Sequence, residues 1–439
     1  MAAEPKQLQQ RIPMYRWRIA GLLGIGVLVN YFDRVNLSVA HGALIASFGI
    51  SDIAFGYLSG AYNITYAALQ LPIGVILDKF GVKRVGRIGT LLWSVATFGA
   101  AATPSIGGLY AARFLLGVGE APTFPANAKA IGAWFPENER SFATSLFDAA
   151  AKFASVVGIP LMGFVLIEAG WRWSFALTGF LSALYFLCFW RIYRDPDDEP
   201  RFSEVERRHI QGANQESAKD KAANEPASSL FHLLADRKVL GLAIGFGSYN
   251  YVFYLLLTWL PSYLLFGLRN DPMHSFVYTS VPWLFATFTD LVIGGWLVDL
   301  LVKRGWNGST VRRTVLIGGT ALGLGIFGAG HTHSTTLALI WISISIGGLS
   351  AASPVGWSLP SLIAARNDVG KVGGIINFSN QISGIAAPIV TGYLVAVTHS
   401  YVWVFRVAAI YLVIGIAAYI FLLGKIEPPG TRSAMVASL

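Results

Sequence analysis

Apolar residues run in blocks of about twenty along most of the chain, parted by short polar segments. The blocks fall near 17–40, 52–77, 86–103, 107–134, 141–168, 173–192, 238–267, 274–298, 312–330, 335–363, 371–397 and 402–424. An α-helix rises about 1.5 Å per residue, so each block is long enough to cross a hydrocarbon core of about 30 Å. The pattern predicts an all-α membrane protein with twelve transmembrane helices. The longest polar segment, 194–229, divides them six and six. The expected layout is an N-terminal tail (1–16), a six-helix bundle (17–192), a central linker (193–236), a second six-helix bundle (237–424) and a C-terminal tail (425–439). In the linker Ser203 precedes Glu206 by three residues, a capping-box pattern for a short helix, and the rest reads as flexible.

Composition agrees with that class. Of 439 residues, 54% are hydrophobic and 13% charged, against about a quarter charged in soluble domains. The net charge of +9 does not point to nucleic acid, because the basic residues sit in short segments between apolar blocks. Lys79, Lys83, Arg84 and Arg87 follow the second block, Lys303, Arg304, Arg312 and Arg313 the eighth, and Arg366 and Lys371 the tenth. The opposite side has mainly Arg172 and Arg269. The positive-inside rule puts both termini in the cytoplasm. The basic N-terminus resembles a signal peptide, but its apolar stretch is too long and lacks a small-residue cleavage site, so a retained first span is expected. Cys188 is the sole cysteine, which excludes an intrachain disulfide.

The halves resemble each other. GVILDKFGVKR (74–84) after the second block is echoed by GWLVDLLVKRG (295–305) after the eighth, which aligns Asp78 with Asp299. Asn30-Tyr31 aligns with Asn250-Tyr251, and GWRWSFALTG with YVWVFRVAA at the start of the sixth and twelfth blocks. Parallel repeats of this kind are a transporter architecture, two pseudo-symmetric bundles with the substrate site between them near the midplane.

Charges at bilayer depth are costly unless paired or hydrated, so each marks a candidate site. The first half holds Asp33, Arg34, Arg113, Glu120, Asp148 and Lys152; the second holds Asp290, with Arg406 near the outer end of the twelfth helix. Asp33 and Arg34 align with Phe253 and Tyr254, so the chemistry is lopsided. Arg113, Gly117 and Glu120 share one helical face, where Gly117 and Gly119 admit a close neighbour. Asp148 and Lys152 are spaced to pair. Asp33 and Arg34 are about 100° apart and address different neighbours: Arg34 shares its face with Asn30 and Tyr31, and Asp33 lies nearer Asn30 and Asn36. Structural ion pairing is one reading of these charges. The other is an anion site with a proton-accepting carboxylate beside it, favoured for Arg34 and Glu120 because buried pairs add little net stability. For Asp148 and Lys152 both readings stay open. The three acids and three bases of the first half cancel. An entering monoanion therefore leaves a charge that one protonated carboxylate removes, which links anion binding to at least one proton.

GVILDKFGVKR, the six-plus-six layout and the second copy at Asp299 resemble the major facilitator superfamily over essentially the whole chain. YFDR (31–34), ARFLLGVGEAPTFPAN (112–127), WFPENER (134–140), LTWLPSYL (257–264) and GGIINFSNQISG (373–384) are similar to its anion:cation symporter family. That family includes bacterial galactonate, glucarate and hexuronate permeases and sialin-type carriers. The resemblance implies Asp33 and Glu120 as protonation sites, Arg113 as partner of Asp33, and Arg34 as partner of Glu120 or of the substrate carboxylate. It implies that Tyr31, Tyr66 and Asn377 contact a sugar acid, and that Asp78, Arg84 and Asp299 form a cytoplasmic gate. Ala151 stands where the galactonate subgroup has a pocket glutamine, flanked by Asp148 and Lys152, and Asp290 replaces a small residue. Lys152 is thus a candidate for a second carboxylate.

The expected function is proton-coupled import of an organic anion, a sugar acid such as an aldonate, aldarate or hexuronate, by rocker-switch alternating access. The expected partners are the anion, protons and the bilayer, with no cofactor, metal or nucleic acid, and a monomeric state. Import of an aromatic or dicarboxylic acid, efflux antiport and a non-transporting sensor are the alternatives. No Walker A, GxSxG or HExxH motif suggests an enzyme or primary pump. His41, His274, His331, His333 and His399 map to the outer side and read as solvated loop residues; His331 and His333 lack a third zinc ligand.

Overall fold

The computed structural model describes residues 14–201, 205–208, 210, 229–364 and 368–426. Ser203, Arg366, the linker stretch 211–228 and most of both tails lie outside them. In hydrocarbon every backbone polar group must be satisfied internally, and the chain does this almost wholly with helices. The principal ones are α1 (Tyr15–Val39), α2 (His41–Phe48), α3 (Asp52–Ala102), α4 (Ile106–Glu120), α5 (Thr123–Trp134), α6 (Glu137–Ala169) and α7 (Trp171–Ile192), then α8 (Arg237–Ser262), α9 (Pro272–Thr289), α10 (Gly308–Gly323), α11 (Thr335–Ser358), α12 (Val369–Thr398) and α13 (Val402–Ala417). Polar caps start several of them. Ser51 accepts from the Ala54 N–H of α3, and Asp236 from the Lys238 and Val239 N–H groups of α8.

Twelve passages result, but not as twelve clean rods. The second and third are one helical track, α3, broken at Gly81 (φ 75°, ψ 164°). That positive φ is one a residue with a Cβ rarely adopts. The fourth passage is α4 plus α5, interrupted at Ala121-Pro122 just past Glu120. The seventh, eighth and twelfth continue through π-helical turns at Tyr263–Gly267, Asp290–Leu297 and Ala418–Leu423. Among the described residues eight helices are by length and composition apolar enough to cross a membrane, nine if the bent pair His41–Phe48 and Asp52–Gln70 counts as one. The shortfall has a physical source. Charges lower the apolarity of the first passage, and the breaks shorten others.

Contacts between helix ends fix the alternation. At one end Arg16 pairs with Glu139 (2.7 Å) and Glu206 (2.9 Å), Tyr15 packs on Trp134, and Arg237 donates to the Phe421 carbonyl (2.7 Å). This is the end where the first passage begins and the twelfth finishes. At the other end Trp171 donates to Ser47 (3.0 Å), Thr335 to Asn270 (3.0 Å), and Arg406 lies 3.1 Å from His331. The described linker residues are docked rather than free: Glu206 is buried on Arg16, and Asp198 pairs with Lys83 (2.8 Å). The Lys83 ammonium holds the Asp198 carboxyl below its usual range.

Hydrogen bonds between the two halves gather at the midplane and towards the end away from the termini. Ser38 donates to the Thr258 carbonyl (2.6 Å), Ser280 to the Val156 carbonyl (2.8 Å), Asn63 to the Gly384 carbonyl (2.8 Å), and Tyr57 meets Tyr393 (3.2 Å). At Gly56 a β-carbon would lie 2.6 Å from the Pro388 carbonyl. Here α3 and α12 touch backbone to backbone.

His41 departs from the expected solvated loop. It is 2% exposed, with Nδ1 2.7 Å from Ser262 Oγ and Nε2 3.1 Å from Asp52. Its ring lies 4.0 Å from that of Phe55 and 4.9 Å from that of Trp259. A neighbour 221 residues away buries it, which local polarity does not reveal.

Candidate functional site

Arg34 projects from the middle of α1 into a cage of phenol rings. Its guanidinium carbon lies 4.4 Å from the Tyr31 ring centroid, 4.8 Å from Tyr62 and 5.5 Å from Tyr66. Its Nε and an Nη both approach Glu120 Oε2 at 3.3 Å, and Nη2 donates to Asn30 Oδ1 at 3.0 Å. A guanidinium stacks on aromatic faces while its edge stays free for an oxyanion, which an ammonium cannot do. Both partners are buried, and among the described residues Glu120 Oε1 completes no hydrogen bond, nor does the Tyr62 hydroxyl. The Arg34–Glu120 contact is long for a bidentate pair, and the uncommitted oxygen leaves it exchangeable.

Asp33 faces away from Arg34. Its carboxylate accepts from Thr97 Oγ1 (2.7 Å) and Ser182 Oγ (3.2 Å), on the third and sixth passages. The expected partnership with Arg113 is therefore corrected in detail. Arg113 Nη1 reaches the backbone carbonyl of Asp33 at 3.4 Å, its guanidinium lies 5.3 Å from the Tyr62 ring, and the Asp33 carboxylate is held by hydroxyls instead. The helix geometry explains this: α4 approaches α1 where the carboxylate already points past it towards α7. Asn36 likewise turns to α7, donating to Thr178 at 2.7 Å.

A second cluster joins the halves. Lys152, 3% exposed, lies 3.0 Å from Asp148 and in direct contact with Asp290, which opens the π-helical turn after α9. A π turn widens the helix locally and often marks a functional position. With Asp290 included, the charges of the two clusters are Asp33, Glu120, Asp148 and Asp290 against Arg34, Arg113 and Lys152, all buried but Asp148. Four acids face three bases, so the neutral count of the first half becomes one negative charge in excess. Asn377 on α12 donates to Gln70 on α3 at 2.9 Å, across the gap between halves.

A family model, the Major Facilitator Superfamily, matches residues 23–310. The chain belongs to this superfamily. It is 40% identical to an uncharacterized transporter, YybO, of Bacillus subtilis (strain 168), over 94% of this chain and 95% of that one. It is 30% identical to a probable galactarate/D-glucarate transporter, GarP, of Escherichia coli (strain K12), again over 94% and 95%. Its fold matches a crystal structure of a D-xylose-proton symporter with a TM-score of 0.72 at 17% identity, over 94% and 98% of the two chains. The protein is a multi-pass facilitator-superfamily transporter and not an enzyme.

In this facilitator the three gate candidates do not meet. Asp78 pairs with Lys129 at 2.6 Å within its own half, while Arg84 and Asp299 are exposed and form no ion pair among the described residues. Sequence reasoning also missed uncharged members of the site: Gln70, Thr97, Ser182, Asn380 and Gln381. Among the described residues Asn380 is buried with neither amide atom partnered, and Gln381 leaves its Oε1 unpartnered. The i, i+4 spacing of Asn377 and Gln381 in an apolar helix was the available signal.

Proposed function

We propose that the protein imports a sugar acid together with protons across a bacterial inner membrane, with both termini cytoplasmic. The observation that carries this reading is Arg34, buried, stacked among three tyrosines and shared with a carboxylate that has a free oxygen. An incoming carboxylate takes the guanidinium edge that Glu120 now holds. Glu120, without its counter-charge in a low-dielectric interior, takes up a proton. Asp33, held by neutral hydroxyls, is the second protonation site, and Arg113 positions it through the backbone. Tyr31, Tyr66 and Asn377 contact the hydroxylated part of the substrate. Asp78, Arg84 and Asp299 come together when the terminal end closes. The likeness to a galactarate/D-glucarate transporter supports a polyhydroxylated acid, and the four acids against three bases of the two clusters support proton coupling.

The direct test is uptake of a sugar acid into proteoliposomes. An inward pH gradient should drive accumulation in the wild type. Glu120→Gln should abolish gradient-driven accumulation while exchange of labelled for unlabelled substrate continues. Equal loss of both removes the coupling role.

A further inference from the structure

Resting on the sugar-acid reading, the Lys152 cluster carries a statement about substrate class. A lysine at bilayer depth needs one carboxylate to be neutral, and here it has two, Asp148 a turn before it and Asp290 from the other half. A purely structural pair does not call for the second, since every further buried charge adds desolvation cost. Both acids reach the one ammonium, Asp290 in direct contact and Asp148 at 3.0 Å with a quarter of its side chain exposed. The ammonium is held by competing, replaceable acids, as Arg34 is held by Glu120. The Tyr31 ring stacks on the Arg34 guanidinium at 4.4 Å.

We infer that Lys152 is a second anion anchor and that the transporter selects small dianions, with one acidic group on Arg34 and the other on Lys152. Each acidic group occupies the place of a resident carboxylate. A monoanion satisfies Arg34 alone and leaves Lys152 with its acids. Because Asp290 belongs to the second half, loading the second anchor also loosens a contact between bundles at the midplane, which a monoanion leaves intact.

The test compares binding of glucarate and gluconate, two six-carbon acids that differ in charge, to the purified full-length protein by isothermal titration calorimetry. The wild type should bind glucarate at least about tenfold more tightly, as expected for one added charge-assisted contact. Lys152→Gln combined with Asp290→Asn removes one charge of each sign, and it should bring the glucarate-to-gluconate ratio to within about threefold. Asp290→Asn alone removes a competitor for the ammonium and should raise that ratio, which keeps the test decisive should the double variant misfold. Lys152→Arg should keep the preference for glucarate. A wild-type ratio near one, a ratio unchanged in the double variant, or a fall with Asp290→Asn overturns the dianion assignment. Gluconate binding that depends on Arg34 without any dianion preference leaves the sugar-acid reading standing and removes only this one. Binding of neither acid overturns both.

Discussion

Arg34 does three things at once, and the separation of those contacts makes it testable. It stacks on Tyr31, shares Glu120, and is anchored at Asn30. Arg34→Lys keeps the charge but loses the planar fork and the stack, so substrate affinity should fall by at least about tenfold while the melting temperature changes little. A matched loss of both in a thermal-shift titration makes Arg34 a folding residue only. Most of this residue-scale chemistry is legible in the chain because a charge inside an apolar block is conspicuous. Asp33, Arg34, Arg113, Glu120, Asp148, Lys152 and Asp290 all announce themselves that way. Their partners do not. Thr97 and Ser182, which hold Asp33, are ordinary helix residues in sequence, and the junction of Lys152 with Asp290 joins positions 138 residues apart. His41 fails for the same reason, since its burial depends on Trp259 and Ser262.

Among the elements, α4 shows how small residues place charged ones. A β-carbon at Gly117 would lie 2.4 Å from the Tyr62 carbonyl, so α4 rests on the α3 backbone and delivers Arg113 and Glu120 to the Tyr62 ring and to Arg34. Gly117→Ala should cost about 1–3 kcal/mol through overpacking, seen as a lower melting temperature. Gly132→Ala in α5, where the added methyl has no neighbour within 4 Å, should be neutral or slightly stabilising, since alanine favours a helix. Equal effects at the two glycines contradict the close approach. Helix existence follows from hydrophobic block length, and Pro122 and Pro125 flag the break after Glu120. The fusion of the second and third passages through Gly81, and the π turns, escape that reasoning. They are set by how neighbouring helices dock, not by local apolarity.

Taken whole, the two halves meet at the end away from the termini, and alternating access requires that end to part while the other closes. The joined end depends on α3 meeting α12 at Gly56 and on Tyr57 facing Tyr393 with hydroxyls 3.2 Å apart. Two opposite perturbations follow. A short bis-maleimide joining Tyr57→Cys to Tyr393→Cys, in a Cys188→Ala background, should hold that end shut and stop both net uptake and exchange. Gly56→Leu should do the reverse. Its side chain has no room against the Pro388 carbonyl, so the bundles must separate there and come together at the terminal end, bringing Asp78, Arg84 and Asp299 towards the opposite half. Spin labels at positions 57 and 393 should then report a longer distance than in the wild type, and labels at 84 and 299 a shorter one. Both distances increasing together indicates loosening instead of rocking. A bundle pair that pivots about the Lys152–Asp290 and Gln70–Asn377 contacts cannot lengthen both, because those midplane links lie between the two ends.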